Sequence, residues 1–177
     1  KEKRFGKPWV LGDTPSLGIG QGYNAFTLLQ LAHATATLAN RGKIMTPHLV
    51  KSIENPMTGE EERLFTESTG AIPLKPSSIE VVTAGMTDVT RTGTARSIFA
   101  DAPHSVAGKT GTAQVVGIAQ DAKYDAKKLS RRLHDHALFI AFAPARNPRI
   151  ALAVLVENGG FGAKAAAPVA REMMDYW

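Results

Sequence analysis

Residues 137–156 read ALFIAFAPARNPRIALAVLV. Two apolar runs, Ala137 to Ala143 and Ile150 to Val156, are continuous rather than alternating. Continuous runs of this length suit strands covered on both faces. Between them, Pro144 to Arg149 carries Asn147-Pro148, a turn signal. The stretch therefore predicts an antiparallel hairpin at the centre of a sheet, with helices on both faces.

Working outward, a last helix is expected from about Ala166 to Tyr176. Val169, Met173 and Tyr176 would form its inward stripe, with Pro168 in the first turn, where a missing N–H costs little. Upstream, Ser105 to Val116 reads as a strand, followed by a polar segment to His136. Before it, Ser77 and Glu80 form a capping-box pattern just after Pro76. Ile79, Val82, Met86 and Val89 then repeat at helical period up to Arg91-Thr92-Gly93. Thr27 and Gln30 give another capping box, for a helix to Asn40 with Gly42 past its end and Leu28, Leu31, Thr35 and Leu38 on one face. Ile44 to Glu54 resembles a strand pair or strand–loop, with Pro56 and Gly59 in its turn. Residues 1–22 are rich in Gly and Pro and read as an extended loop. The order is two helices, three strands and a helix. That is an α+β fold, with helices packed on a mainly antiparallel sheet. No internal repeat or linker divides residues 1–177, so one domain or part of one is expected.

Composition agrees with a packed domain: of 177 residues, 44% are hydrophobic and 21% charged. The net charge of +5 comes from 21 Lys and Arg against 16 Asp and Glu. Basic residues gather at the start (Lys1, Lys3, Arg4, Lys7) and from Lys123 to Arg132. Aromatic residues do not interleave with the second run as a base-stacking surface requires, so nucleic acid is not an expected partner. The absence of cysteine excludes disulfides, thiolate catalysis and Cys-ligated zinc. No apolar run approaches the length of a membrane span and no signal peptide is recognisable. The chain opens with Lys1 inside what reads as a loop, so a piece of a longer protein is expected.

The sharpest chemical signal is Gly108-Lys109-Thr110-Gly111-Thr112-Ala113-Gln114. Gly-Lys-Thr also ends the phosphate-binding loop, but that motif needs a glycine five residues before Gly108, where Pro103 stands. A nucleotide site is rejected. The remaining functional reading is the K-T-G motif of serine acyltransferases that act on D-alanyl peptides and β-lactams. On an edge strand, an extended peptide can add as a further strand and bond to main-chain groups. Thr110 and Thr112 are two apart, so their hydroxyls face one side and can bind a substrate carboxylate. Lys109 can present its charge to the hydroxyls of a catalytic cluster. Gly111 lets substrate backbone approach closely. The Thr112 N–H could supply half an oxyanion hole. The same residues also suit an ordinary strand with no chemistry. His134 and His136 could bind a metal, but no third ligand is evident and no metal or other cofactor is expected. Tyr23 and Asn24 suit either a substrate channel or a helix-entry loop. His33 reads as a helix-face residue and Asp88 as a helix-surface carboxylate.

Several segments together resemble the class B penicillin-binding proteins. They are Lys3-Arg4-Phe5, Lys7-Pro8-Trp9 and Gly12-Asp13-Thr14 ahead of Gly18-Ile19-Gly20-Gln21-Gly22-Tyr23; Ala107 to Val115; Arg131 to His136; Phe142-Ala143-Pro144; and Glu157-Asn158-Gly159-Gly160. The resemblance spans nearly the whole chain and keeps its order. It implies the C-terminal part of a penicillin-binding transpeptidase domain. In that family a serine attacks the penultimate D-alanine carbonyl of a peptidoglycan stem peptide and releases D-alanine. An amine from a neighbouring strand then takes the acyl group, and β-lactams leave a stable acyl-enzyme. It also implies Lys109 in the catalytic cluster and Thr110, Gly111 and Thr112 as substrate-binding residues. The implied location is the periplasmic face of the inner membrane, with a membrane glycosyltransferase of the elongation complex as partner. The family has three motifs and this chain carries one. None of Ser16, Ser52, Ser68, Ser77, Ser78, Ser97, Ser105 and Ser130 has lysine three places on or forms S-x-N. Those two motifs, and two further strands of the sheet, are expected upstream of Lys1, and the activity in the parent protein. A D,D-carboxypeptidase, a serine β-lactamase or a non-catalytic scaffold of wall synthesis are the alternatives.

Overall fold

The computed structural model describes residues 1–64, 67–116 and 129–177. The predicted hairpin is present. Strands β6 (His136–Ala143) and β7 (Ile150–Val156) pair antiparallel, with Phe139 opposite Val154 and Ile140 opposite Ala153. Strand β5 (Ala107–Ala113) pairs antiparallel with the other side of β6, giving a sheet of order β5-β6-β7. Among the described residues no strand adjoins the outer edge of β5 or of β7.

Helices cover both faces, as the unbroken apolar runs require. On one face lie α5 (Arg96–Phe99) and α6 (Gly162–Tyr176), which bury Ala137, Phe139, Ala141, Leu152 and Val154 against Phe99, Ala166, Ala167, Ala170 and Met174. On the other lie α3 (Leu28–Ala39) and α4 (Pro76–Arg91), where Leu38, Ala39 and Met86 meet Phe142 and Ala107. Phe139 and Phe142 are the largest fully buried side chains, and their odd separation of three residues on β6 sends them to opposite faces.

Local signals held unevenly. Thr27 caps α3 through a complete capping box: its hydroxyl accepts from the Gln30 N–H, and the Gln30 side chain accepts from the Thr27 N–H. The Ser77–Glu80 box does not form, because α4 begins at Pro76 with Lys75 as its cap residue. Proline suits the first helical position, which places Ser77 already inside the helix. The C-terminal helix starts four residues before its expected beginning, at Gly162, so Pro168 sits in its interior. Its predicted inward stripe is also corrected. Val169, Met173 and Tyr176 are exposed, whereas Ala163, Ala166, Ala167, Ala170 and Met174 face the sheet. Small side chains let the helix approach closely, and at Gly162 an added Cβ would lie 2.4 Å from the Leu138 carbonyl oxygen.

Residues 1–22 are not extended throughout. They hold α1 (Glu2–Phe5) and α2 (Asp13–Gly18), joined by a Lys1–Asp13 ion pair. The Ile44–Glu54 segment is not a pair of mutually bonded strands. Strand β1 (Lys43–Met45) pairs with β4 (Ser68–Ala71), and β2 (Ser52–Glu54) pairs with β3 (Glu61–Arg63) across the predicted Pro56–Gly59 turn. Of the polar, basic segment before His136, residues 117–128 lie outside those described, and Arg131–Leu133 form a 3-10 turn.

Candidate functional site

The K-T-G segment lies on β5, whose outer edge no strand adjoins among the described residues. Its register sets Lys109 opposite Ile140, Thr110 opposite Phe139, Gly111 opposite Leu138 and Thr112 opposite Ala137. Lys109 and Gly111 therefore share a face with Leu138 and Ile140, and Thr110 and Thr112 share the other. Gly111 also allows close packing: a Cβ there would stand 3.2 Å from that of Leu138.

In an antiparallel strand the N–H and C=O of one residue point to the same side, and alternate residues alternate sides. Two contacts show which residues of β5 face outward. The Lys109 ammonium donates to the Thr110 carbonyl at 2.7 Å, and the Gln21 side-chain amide donates to the Thr112 carbonyl at 3.3 Å. Thr110 and Thr112, two apart, thus offer main-chain groups to the open edge. Beside them is a cleft of about 430 Å³. Its floor is Leu138 and Ile140, its wall is Lys109 to Ala113, and its far side is Ile19 to Gln21 with Asn24 to Phe26. It is mostly apolar apart from the edge itself, the composition of a site that seats an extended ligand and orients it with few polar groups.

Of the weighed candidates, Lys109, Thr110, Gly111 and Thr112 all line this cleft, and so does Asn24. Tyr23 does not. Its ring packs against Phe5 at 5.1 Å between centroids, with the Lys1 ammonium over it. The His136 Nδ1 accepts the Asn158 N–H at 2.9 Å, and the His134 carbonyl accepts from the Asn158 amide at 2.8 Å. These contacts give the histidine segment a structural part at the start of β6. No cluster of three or more His, Cys, Asp or Glu suited to a metal occurs among the described residues. His33 is half-buried on α3 beside Ile44 and Leu74, and Asp88 is exposed on α4, as read. No serine is among the residues lining the cleft.

Two residues near the site escaped sequence reasoning. Thr94, in the turn after α4, places its hydroxyl 3.3 Å from that of Thr110. Gln21 reaches β5 from 91 residues away in sequence. No spacing rule links either to the motif, because the tertiary fold brings them together. Thr110 and Thr112 are half-buried and Lys109 is exposed.

Comparison with known proteins agrees with this geometry. The profile of the penicillin binding protein transpeptidase domain matches residues 1–175. Peptidoglycan D,D-transpeptidase MrdA of Haemophilus influenzae is 46% identical across all of this chain, which covers 27% of that protein. The protein of the same name from Escherichia coli K12 is 40% identical over 99% of the chain and 28% of its own length. Among solved structures, Pseudomonas aeruginosa PBP2 in complex with WCK 5153 superposes with a TM-score of 0.79 at 40% identity, covering all of this chain and 35% of that one. A complex between penicillin-binding protein PBP2 and MreC from Helicobacter pylori superposes with a TM-score of 0.74 at 29% identity, over 99% of this chain and 29% of that one. The chain thus spans little more than a quarter of the two transpeptidases. Sequence, fold and the placement of its K-T-G strand agree: this chain belongs to the family of penicillin-binding protein transpeptidase domains.

Proposed function

We propose that residues 1–177 form the C-terminal portion of one transpeptidase domain and supply the substrate-binding strand of a peptidoglycan D,D-transpeptidase. The observation that carries this reading is the edge placement of Lys109-Thr110-Gly111-Thr112 beside an open cleft, with the Thr110 and Thr112 main chain turned outward. A stem peptide adds along β5 as an extra strand. The Thr110 and Thr112 hydroxyls hold its terminal carboxylate, joined by Thr94 through Thr110. Lys109 places a positive charge beside the reacting groups, and the Thr112 N–H meets the oxygen that becomes negative.

In the reaction, a serine hydroxyl from elsewhere in the longer protein adds to the carbonyl carbon of the penultimate D-alanine. The C–N bond to the last D-alanine breaks, the serine proton leaves with that amine, and an ester remains. An amine of a second stem peptide then displaces the serine oxygen, which regains a proton. A β-lactam follows only the first half, since its leaving nitrogen stays tethered to the acyl group. A peptidoglycan substrate fits a location on the periplasmic side of the inner membrane. A membrane glycosyltransferase that makes the glycan strands is the fitting partner, and the MreC complex of the H. pylori relative supports assembly with an elongation complex.

The test is covalent labelling of the full-length protein with a fluorescent penicillin. Thr110→Val, which removes a hydroxyl and keeps shape, should slow labelling with little change in thermal midpoint. Normal labelling of that variant would sink the carboxylate assignment. The 177-residue chain alone should gain no mass on incubation with a β-lactam, since covalent catalysis needs a nucleophile held within reach of its base.

A further inference from the structure

We infer that Gln21 is a positioning residue for the oxyanion side of the site: its amide fixes Thr112 so that the N–H of that residue faces the cleft. The inference rests on the transpeptidase reading above.

Gln21 is held far more firmly than a surface glutamine needs to be. It stands between Gly20 and Gly22, whose φ values of +81° and +72° lie in the left-handed region that other residues rarely adopt. The Gln21 N–H donates to the Ser16 carbonyl at 2.9 Å, and the Gly20 N–H donates to that of Leu17 at 3.0 Å. The Asn24 amide then donates to the Gln21 carbonyl and to the Leu17 carbonyl, each at 3.2 Å. The loop between α2 and α3 is thus folded on itself, and its one long polar side chain is aimed across the cleft. Its target is the Thr112 carbonyl at 3.3 Å.

That target matters because of strand geometry. In extended backbone the carbonyl and N–H of one residue point the same way, so a donor that holds the carbonyl outward also holds the N–H outward. Strand β5 ends at Ala113, so Thr112 lies near its end, on an edge that no further strand adjoins among the described residues and that is therefore easily rotated. Gln21 restrains it there from the cleft side. A carbonyl oxygen has two lone pairs, so a substrate N–H can still bond to Thr112 beside the glutamine.

The expected signature is a loss in the chemical step rather than in binding, because an oxyanion donor acts on charge that develops only in the transition state. In full-length protein, penicillin acylation is separated into a noncovalent dissociation constant and an acylation rate constant. Gln21→Met keeps length and removes the donor. It should lower the acylation rate constant on the order of tenfold, less than the hundredfold or more that follows loss of a direct oxyanion donor. The dissociation constant and thermal midpoint should change little. Gln21→His, which returns an N–H at similar reach, should recover much of the rate. An unchanged acylation rate constant in Gln21→Met would overturn the inference. So would a loss shared by Gln21→His, or one confined to the dissociation constant and the midpoint, since either marks a loop anchor. Lys109→Ala in the same assay separates the two claims. If Lys109→Ala is slow and Gln21→Met normal, only the role of Gln21 fails. If Lys109→Ala is normal, the transpeptidase reading of β5 fails.

Discussion

The two faces of strand β6 are built to different standards. Toward α6, Ala137, Phe139 and Ala141 are each fully buried. Toward α3, Leu138 and Ile140 are only half-buried, although they are as apolar, and full burial returns at Phe142. The cause is helix placement. Helix α3 lies chiefly over β7, and α4 packs on β5. Leu138 and Ile140 are left as the floor of the cleft beside Lys109 to Ala113. One face of the sheet is closed by alanines that admit a helix at short range. The other leaves part of its apolar surface open at the cleft proposed to seat a ligand. Stability and chemistry are thus divided between the two sides of one strand.

The largest effect should come from the closed face. Phe139→Ala removes a fully buried ring that stacks on Phe99 at 5.7 Å and should destabilise the domain by about 3–5 kcal/mol. Chemical denaturation of the full-length protein reads this directly. A cost below that of a half-buried residue would break the comparison, because the α6 face would then be no better packed than the cleft floor.

Next is the charge at the cleft. Lys109→Ala should reduce penicillin acylation by about two orders of magnitude, the scale seen when a preorganised electrostatic group is removed. Lys109→Arg should keep part of the rate, since charge survives while shape changes. Stability should move by less than about 0.5 kcal/mol, because the side chain is exposed. A large loss of stability with normal acylation would reverse the division of labour proposed for the two faces. Ile140→Ala, on the same floor, should cost about 1–2 kcal/mol, since only part of its side chain leaves water on folding. Its acylation kinetics should shift through affinity, because an aliphatic side chain lining the cleft offers a ligand apolar contact alone.

Much of this was legible in the sequence, and the failures share a physical cause. The hairpin was readable because burial on both faces leaves no room for polar alternation, and the K-T-G segment because its residue types suit an edge strand. The α3 capping box was readable because both partners are local. The α6 stripe differs from the expected one because size is a poor guide to which side faces a sheet at close range. Close approach to a sheet instead selects Ala163, Ala166, Ala167 and Ala170, and leaves Met173 and Tyr176 outside. The start of α4 was misplaced by two competing local signals, of which proline at the first position won. The contacts of Gln21 and Thr94 with β5 could not be read, since their partners are set by the chain's path and by no local pattern.

The smallest effect sharpens the closed face at its rim. Arg171 on α6 donates to the Ile98 carbonyl at 3.1 Å, the Asp101 carboxylate at 3.0 Å and the Asp175 carboxylate at 2.6 Å, and so ties α6 to the end of α5. The hydrogen bond from Arg171, with its charge, holds the Asp101 carboxyl below its usual value of 3.8. A carboxyl whose value is lowered on folding adds stability above its unfolded value and loses it as pH falls through the folded one. Asp101→Asn should therefore lower the thermal midpoint slightly at neutral pH, and the gap to wild type should narrow as pH drops below 3.8. The shift is small because Asp101 is exposed and its pairing is screened by solvent. No gap even at pH 7 would mean that Asp101 acts only through its backbone carbonyl, which also accepts from Arg171 and is unchanged in the variant. The tie between α5 and α6 would then run through the main-chain carbonyls of Ile98 and Asp101 and owe nothing to the exposed carboxylate.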